Sequence, residues 1–287
     1  MSTILSSMSE IVRVGGWALR GIGYPFGVAE RGVRLLAWTE AAGGEAIKSL
    51  RLSEAAVAQS HSADPCERAG DASFGRTLHA QGRHLLEIGA PAIDLVTHDA
   101  RHASIGHVAV HGVFGLGFLP ALANLLAHRK LSGIFCYGAA EADPPPADRF
   151  RTGWLAVQTA ARGPLFAHGD LEDDAGASLR GALAGLRGTL PAPFTNRVLR
   201  DIQAATATGP LGYMGILAVS DARGVRETIQ ALPDTAQTID YPERVANALT
   251  HGVPIGADDL KYLYDLELRT WAPTSERSRS QAGYGVY

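Results

Sequence analysis

The chain has 287 residues, 46% of them hydrophobic and 19% charged, with a formal net charge of −3. That length supports a well-buried core in one large domain or two modest ones. The near-neutral balance excludes binding that relies on bulk charge, whether to nucleic acid or to an acidic membrane surface. Cys66 and Cys136 form no C-x-x-C pair, so neither a zinc knuckle nor a disulfide framework is indicated.

From the N-terminus, residues 8–20 and 28–42 read as helices. Val28, Val33, Leu35, Leu36 and Trp38 cover one side of the second, and the Gly43–Gly44 pair is a natural stop. A short helix, EAIKSLRLSEAAVAQS, follows, and polar residues 61–76 read as a loop. GAPAIDLVTHDARHA predicts a helix, with Ile93, Val96 and Ala100 on one face. GHVAVHGVF alternates as a strand does, Val108 and Val110 pointing one way and His107, Ala109 and His111 the other. Glycines 112, 115 and 117 lead into FLPALANLLAHRKL, a helix with Pro120 near its first turn, and then into the strand SGIFCYG. Residues 88–138 thus read as α-β-α-β, which predicts parallel strands.

EADPPPADRF reads as a loop, GWLAVQTAA as a strand, HGDLEDDAGAS as a solvated acidic loop, GYMGILAVSD as a strand and RGVRETIQAL as a helix. YPERVANALTHGVPIGADDLKYLYDLELRTW reads as two helices around a Gly-Val-Pro turn, before a polar tail. No basic segment precedes an apolar one at the N-terminus, and the apolar run GVFGLGFLPALANLLA is broken by Gly, Pro and Asn. A cytoplasmic protein without a membrane span is expected.

The densest candidate chemistry is RHASIGHVAVHGVFGLG. On a strand, His107 and His111 share a face but lie roughly 13 Å apart at ~3.3 Å per residue, too far for one ion to bridge. No H-E-x-x-H or facial-triad spacing occurs, and no metal is expected. A glycine turn between strand and helix is one place where phosphate binds, although G-V-F-G-L-G is not G-x-G-x-x-G; close strand-to-helix packing is the other reading. There is no G-x-S-x-G elbow for a serine nucleophile. Cys136, within an apolar strand, is a poor thiolate. His111 leaves its strand where α/β proteins usually place chemistry.

Two resemblances add to this. RGIGYPFGVAERGVRLLAWTEAAGG and RTWAPTSERSRSQAGYG resemble the two ends of a bacterial family of unknown function, and imply that Tyr24, Glu30, Arg269, Ser278 and Arg279 matter together. The order of segments is similar to the type-2 malate/L-lactate dehydrogenase family, which includes sulfolactate and ureidoglycolate dehydrogenases. APAIDLVTHDARHASIGHVAVHGVFG looks like that family's helix, V-x-V strand and H-F-G turn, and ILAVSDARGVRETIQAL like its late strand and helix. The resemblance implies a non-Rossmann α/β fold, a homodimer, and hydride transfer from NAD(P)H to a 2-oxo or 2-imino acid. The family's G-x-x-S-H-G-x-x-R-L aligns with GGEAIKSLRL, so Arg51 falls on its Arg while Ile47 replaces its proton-donating His.

The expectation is therefore an α/β protein of that fold. Residues 1–60 form an N-terminal helical segment, 75–235 an α/β core, and 236–287 C-terminal helices and a tail packing with the N-terminal segment. It is read as an oxidoreductase-like enzyme on a small molecule, with NAD or NADP. Arg51 would hold the substrate carboxylate, His111 or Lys48 would supply the proton, and Gly112, Gly115 and Gly117 would meet the cofactor. The alternatives are a cofactor-free hydrolase, lyase or isomerase built on Tyr24, Glu30 and the C-terminal arginines, or a non-catalytic binding subunit.

Overall fold

The computed structural model describes residues 2–60, 68–70, 75–139, 151–160, 163–172, 174–185, 192–207, 211–220 and 237–271. Strand β1 (Thr3–Ser6) leads into three helices, α1 (Met8–Gly21), α2 (Phe26–Gly43) and α3 (Ala46–Ser60). Ser7 caps α1 by accepting the Glu10 N–H. Gly44, at φ 77°, ends α2 in the left-handed conformation that a side chain disfavours, as the double glycine predicts.

β2 (Arg68–Gly70) and β3 (Arg76–His84) precede α4 (Leu85–Ala103), β4 (Ile105–Phe114), α5 (Leu119–His128) and β5 (Ser132–Gly138). Then come β6 (Thr152–Gln158), β7 (Leu165–Asp170), α6 (Asp174–Gly185), α7 (Ala192–Thr206), β8 (Gly212–Val219) and β9 (Gln237–Ile239). The described chain ends with α8 (Tyr241–His251), β10 (Val253–Gly256) and α9 (Ala257–Leu268).

Eight strands make one sheet in the order β2-β3-β4-β8-β5-β6-β7-β9. β4 and β5 point the same way, as the α-β-α-β reading predicts, but they are not neighbours: β8 lies between them and is antiparallel to both, and among the described residues the one hydrogen-bonded parallel pair is β3–β4. The α-β-α-β reading could not see a strand that arrives from about a hundred residues later and fills the gap.

Three local readings are corrected. Val253–Gly256 is not a turn but strand β10, antiparallel to β1, with Pro254 facing Leu5 on a two-stranded ribbon where a missing N–H is tolerated. The acidic stretch is divided between the end of β7 and the start of α6. Part of the polar loop 61–76 is strand, in β2 and the start of β3. The helix read over 223–232 and the tail beyond 271 lie outside the described residues.

The sheet is buried on both faces. Leu78, Ala80, Val108, Val110 and Val113 join Ile11, Leu19, Leu36, Ile47, Leu50, Ile93 and Leu263 in a large core beneath α1–α5, α8 and α9. The alternate residues, Ala109, Ile134, Cys136, Trp154 and Leu217, form a second core with Leu179, Val198 and Ile202 of α6 and α7. Gly138 and Gly215 bring α7 onto the sheet. A Cβ at 138 would lie 2.1 Å from the Ala205 carbonyl oxygen, and one at 215 would lie 3.1 Å from the Asp201 Cβ.

Candidate functional site

The α7 face of the sheet carries its polar residues in ordered rows. Strand register aligns His79 with His111, His111 with Tyr213, and Tyr213 with Gly138. One step along, Ala109, Gly215 and Cys136 are aligned, and one further, His107, Leu217 and Ile134. Both parallel strands are irregular just past the first row, β3 between His79 and Arg83 and β4 between His111 and Val113. Gly112, at φ 72°, makes the β4 irregularity possible. Such bulges re-aim side chains at strand ends.

Asp201 of α7 ties the rows together. Its Oδ2 lies 2.5 Å from His107 Nε2, in a pair where the histidine side chain is 1% exposed. The same carboxylate oxygen and the Tyr213 hydroxyl both lie over Gly215, each 3.1 Å from where a Cβ would stand. From Tyr213 the contacts continue outward. The His111 ring meets it edge-on at 4.8 Å and stacks on His79 at 5.7 Å. Arg197, a turn before Asp201, donates to Thr77 Oγ1 on β3. The result is a line of polar groups from a fully buried histidine to an exposed one.

Burial holds the His111 imidazole below its ordinary pKa, and His79 adds to this. Burial, then the adjacent Asp201 charge, pushes the Tyr213 hydroxyl far up, so it keeps its proton at neutral pH. Burial also raises the Cys136 thiol, consistent with its reading as a poor thiolate. Among the described residues, no group of three or more His, Cys, Asp or Glu side chains is placed to hold a metal ion.

Of the other residues singled out in the sequence, the described ones on α2 and α3 and at the end of α9 lie on the opposite side of the sheet, the helical face that carries α1–α5. Ile47 is wholly buried, and its N–H donates to Glu40 Oε2 at 2.9 Å. Lys48 pairs with Glu45 at 3.1 Å, Arg51 with Asp259 at 3.0 Å and Arg269 with Glu54 at 2.6 Å. Arg51 and Arg269 both influence Tyr262 of α9, so the fold brings those two together. It does not bring Arg51 to His111, because Leu50 packs in one core while Tyr213, beneath His111, packs in the other. Tyr24 is buried near Glu87, and Glu30 lies exposed on α2. Ser278 and Arg279 lie outside the described residues.

Two of the three glycines at 112, 115 and 117 have local structural reasons. Gly112 serves the bulge, and a Cβ on Gly115 would sit 2.3 Å from His84 Nε2. Gly117 lies in a short 3₁₀ turn, Leu116–Phe118, before α5. Asp201, Tyr213, His79 and Arg197 were not candidates in the sequence. For His79 a signal was present: in RTLHA, polar Thr77 and His79 alternate with apolar Leu78 and Ala80, as on a half-buried strand.

The sequence matches no family model, and no curated protein matches it by sequence. Solved structures do match. Malate dehydrogenase from Entamoeba histolytica is 10% identical, with a TM-score of 0.64, covering 95% of this chain and 99% of its own. Sulfolactate dehydrogenase from Methanocaldococcus jannaschii is 10% identical, with a TM-score of 0.62, over 92% and 96% of the two chains. Δ1-piperideine-2-carboxylate reductase from Pseudomonas syringae is 13% identical, with a TM-score of 0.58, over 92% and 99%. The chain has the fold of these proteins. The resemblance in segment order thus gave the right architecture. No helix among the described residues is long and apolar enough to cross a membrane.

Proposed function

We propose that the chain is a small-molecule enzyme of the oxidoreductase type, acting on a 2-oxo or 2-imino acid bound against the His79–His111–Tyr213 row. The shared fold supports the reaction type, since proteins that reduce or oxidise such acids are built this way. The line of polar groups behind His111 is the observation that carries the choice of site. Reducing a carbonyl or imine adds a hydride to carbon and a proton to oxygen or nitrogen. The proton is the part these side chains account for. Neutral His111 has one ring nitrogen to donate and one to accept, and Tyr213, its hydroxyl buried beside Asp201, holds that ring edge-on from behind. Asp201 fixes the array from behind, and Arg197 is the nearby cation suited to a substrate carboxylate. Arg51 is less suited to that task, being paired with Asp259.

NADH or NADPH would supply the hydride when bound. The glycine turn after β4 does not fit it as a pyrophosphate cradle, because the space beside Gly115 is filled by the His84 ring. That misfit, with Ile47 where the resemblance puts a proton donor, favours a second reading: a cofactor-free isomerase or lyase in which the same groups move a proton beside a carbonyl.

Titration with NADH and with NADPH, followed by nicotinamide fluorescence, separates the two. A saturable change with either supports the oxidoreductase. No change with both rejects it, and loss of the C3 proton signal from 2-oxo acids in D2O, followed by NMR, would then support the second reading.

A further inference from the structure

The segment RGIGYPFGVAERGVR, singled out in the sequence and unused by the site above, builds a groove between α1 and α2. The groove has a volume of about 310 Å³. From α1 it takes Val12, Arg13, Gly16, Trp17 and Arg20, at the spacing of one helix face, and from α2 Phe26, Ala29, Glu30, Val33 and Arg34. Its floor is apolar. Trp17 and Phe26 stand exposed at 42% and 60%, large aromatic surfaces that the core does not use. The Arg20 guanidinium lies 4.4 Å from the Trp17 ring centre and 5.4 Å from that of Phe26, which orients it. Arg13 is paired with Glu267 at 2.9 Å. Among the described residues, Arg20 and Arg34 have no ion-pair partner. Against these two cations the groove sets one carboxylate, Glu30.

We propose that this groove is a binding site for a small organic monoanion with a flat apolar body, an aryl carboxylate in chemical class. The body lies on the floor formed by Val12, Gly16, Ala29 and Val33, the carboxylate meets the planar N–H fork of Arg20, whose guanidinium is held by Trp17 and Phe26, and Arg34 adds positive charge to the groove. The volume is at the small end of ligand pockets, roughly 300–1,000 Å³, and so suits a single ring with a short acid arm. Glu30 disfavours a second negative charge. The site is separate from the His111 row and does not depend on the reaction proposed for it.

Gly16 provides a plug. A Cβ there would meet one atom, Val33 Cγ1, at 3.9 Å, so a larger side chain enters the groove without colliding with the backbone. A glycine replaced within a helix also gains helix propensity, so Gly16→Leu is expected to keep or raise the melting temperature. The test is calorimetric titration of the full chain with phenylacetate, with phenylacetamide as its neutral isostere and with phenyl phosphate as a dianion. Phenylacetate is expected to give a saturable isotherm, phenylacetamide none and phenyl phosphate a weaker one. Gly16→Leu should abolish binding, Arg34→Gln weaken it roughly fivefold, and Glu30→Gln tighten it by a similar factor. The proposal is overturned by no isotherm with phenylacetate, by equal binding of phenylacetamide, or by tighter binding of phenyl phosphate. It is also overturned if Gly16→Leu leaves binding intact, or if light scattering shows a dimer that Gly16→Leu splits, since the groove's occupant would then be a second copy.

Discussion

The two faces of the sheet treat charge in opposite ways. On the helical face, Lys48, Arg51 and Arg269 attract attention in the sequence, yet each sits at a helix surface beside an acidic partner that satisfies it. On the α7 face, His107, Asp201 and Tyr213 are buried at 1%, 8% and 6% exposure, in the midst of Trp154, Ile202 and Leu217. An apolar core has no use for such groups, and desolvating them costs free energy. Polarity where packing does not require it marks a site better than charge where solvent allows it.

The largest expected effect falls on the α7 face. Asp201→Ala leaves His107 in the core without its carboxylate and should destabilise the fold by about 3–5 kcal/mol in urea unfolding. A loss below 1 kcal/mol would mean that the pair is no more built-in than those on the helical face. Among the buried acids of the helical face is Glu40, whose pKa burial raises from 4.5 to about 7. Between those values the folded chain holds a proton that the unfolded chain releases, so stability should fall as pH rises from about 4.5 to 7. The loss has an upper bound of about 3 kcal/mol, and Glu40→Gln should remove it. Matched urea curves at pH 5 and pH 8 check this, and parallel curves for the two proteins would refute it.

Tyr213→Phe keeps the ring that packs against His111 and removes only the hydroxyl. It should cost about 1–3 kcal/mol in urea unfolding, because the buried Asp201 carboxylate loses a partner, and with a 2-oxo acid that the wild type turns over it should lower kcat roughly tenfold through a less well-held His111. An unchanged kcat would take Tyr213 out of the chemistry. Arg51→Ala is expected to have the smallest effect, under about 1 kcal/mol in stability, because its pair is partly solvated. If Arg51→Ala instead abolishes turnover while Tyr213→Phe does not, the two faces have been assigned the wrong way round.

Much of the fold could be read from periodicity. Helices α1, α2, α4, α5 and α9, and strands β4, β5 and β8, have clean patterns and clear stops. β3 was missed because Gln81 and Gly82 interrupt it, and both have positive φ. The sheet order was not legible, because β8 joins β4 to β5 across a long stretch of sequence, and such pairings leave no local trace. The candidate site was half legible. His107 and His111 were placed on one face of one strand, but their partners are Asp201 on an unread helix and Tyr213 on a strand about a hundred residues later. The signal for that contact lies in glycines, at 138 and 215, whose missing side chains make room for α7.

The ribbon of Thr3–Ser6 with Val253–Gly256 also sets an order of events during synthesis. α1 packs against α2, which emerges next, and against α9, which emerges after residue 256. Arg13 and Glu10 wait for Glu267 and Tyr264 on that last helix. A chain leaving the ribosome therefore carries α1 half-docked until α9 has emerged, and contacts of such long sequence separation close slowly. A nascent chain arrested before residue 257 should leave α1 open to proteolysis, while the finished chain should protect it.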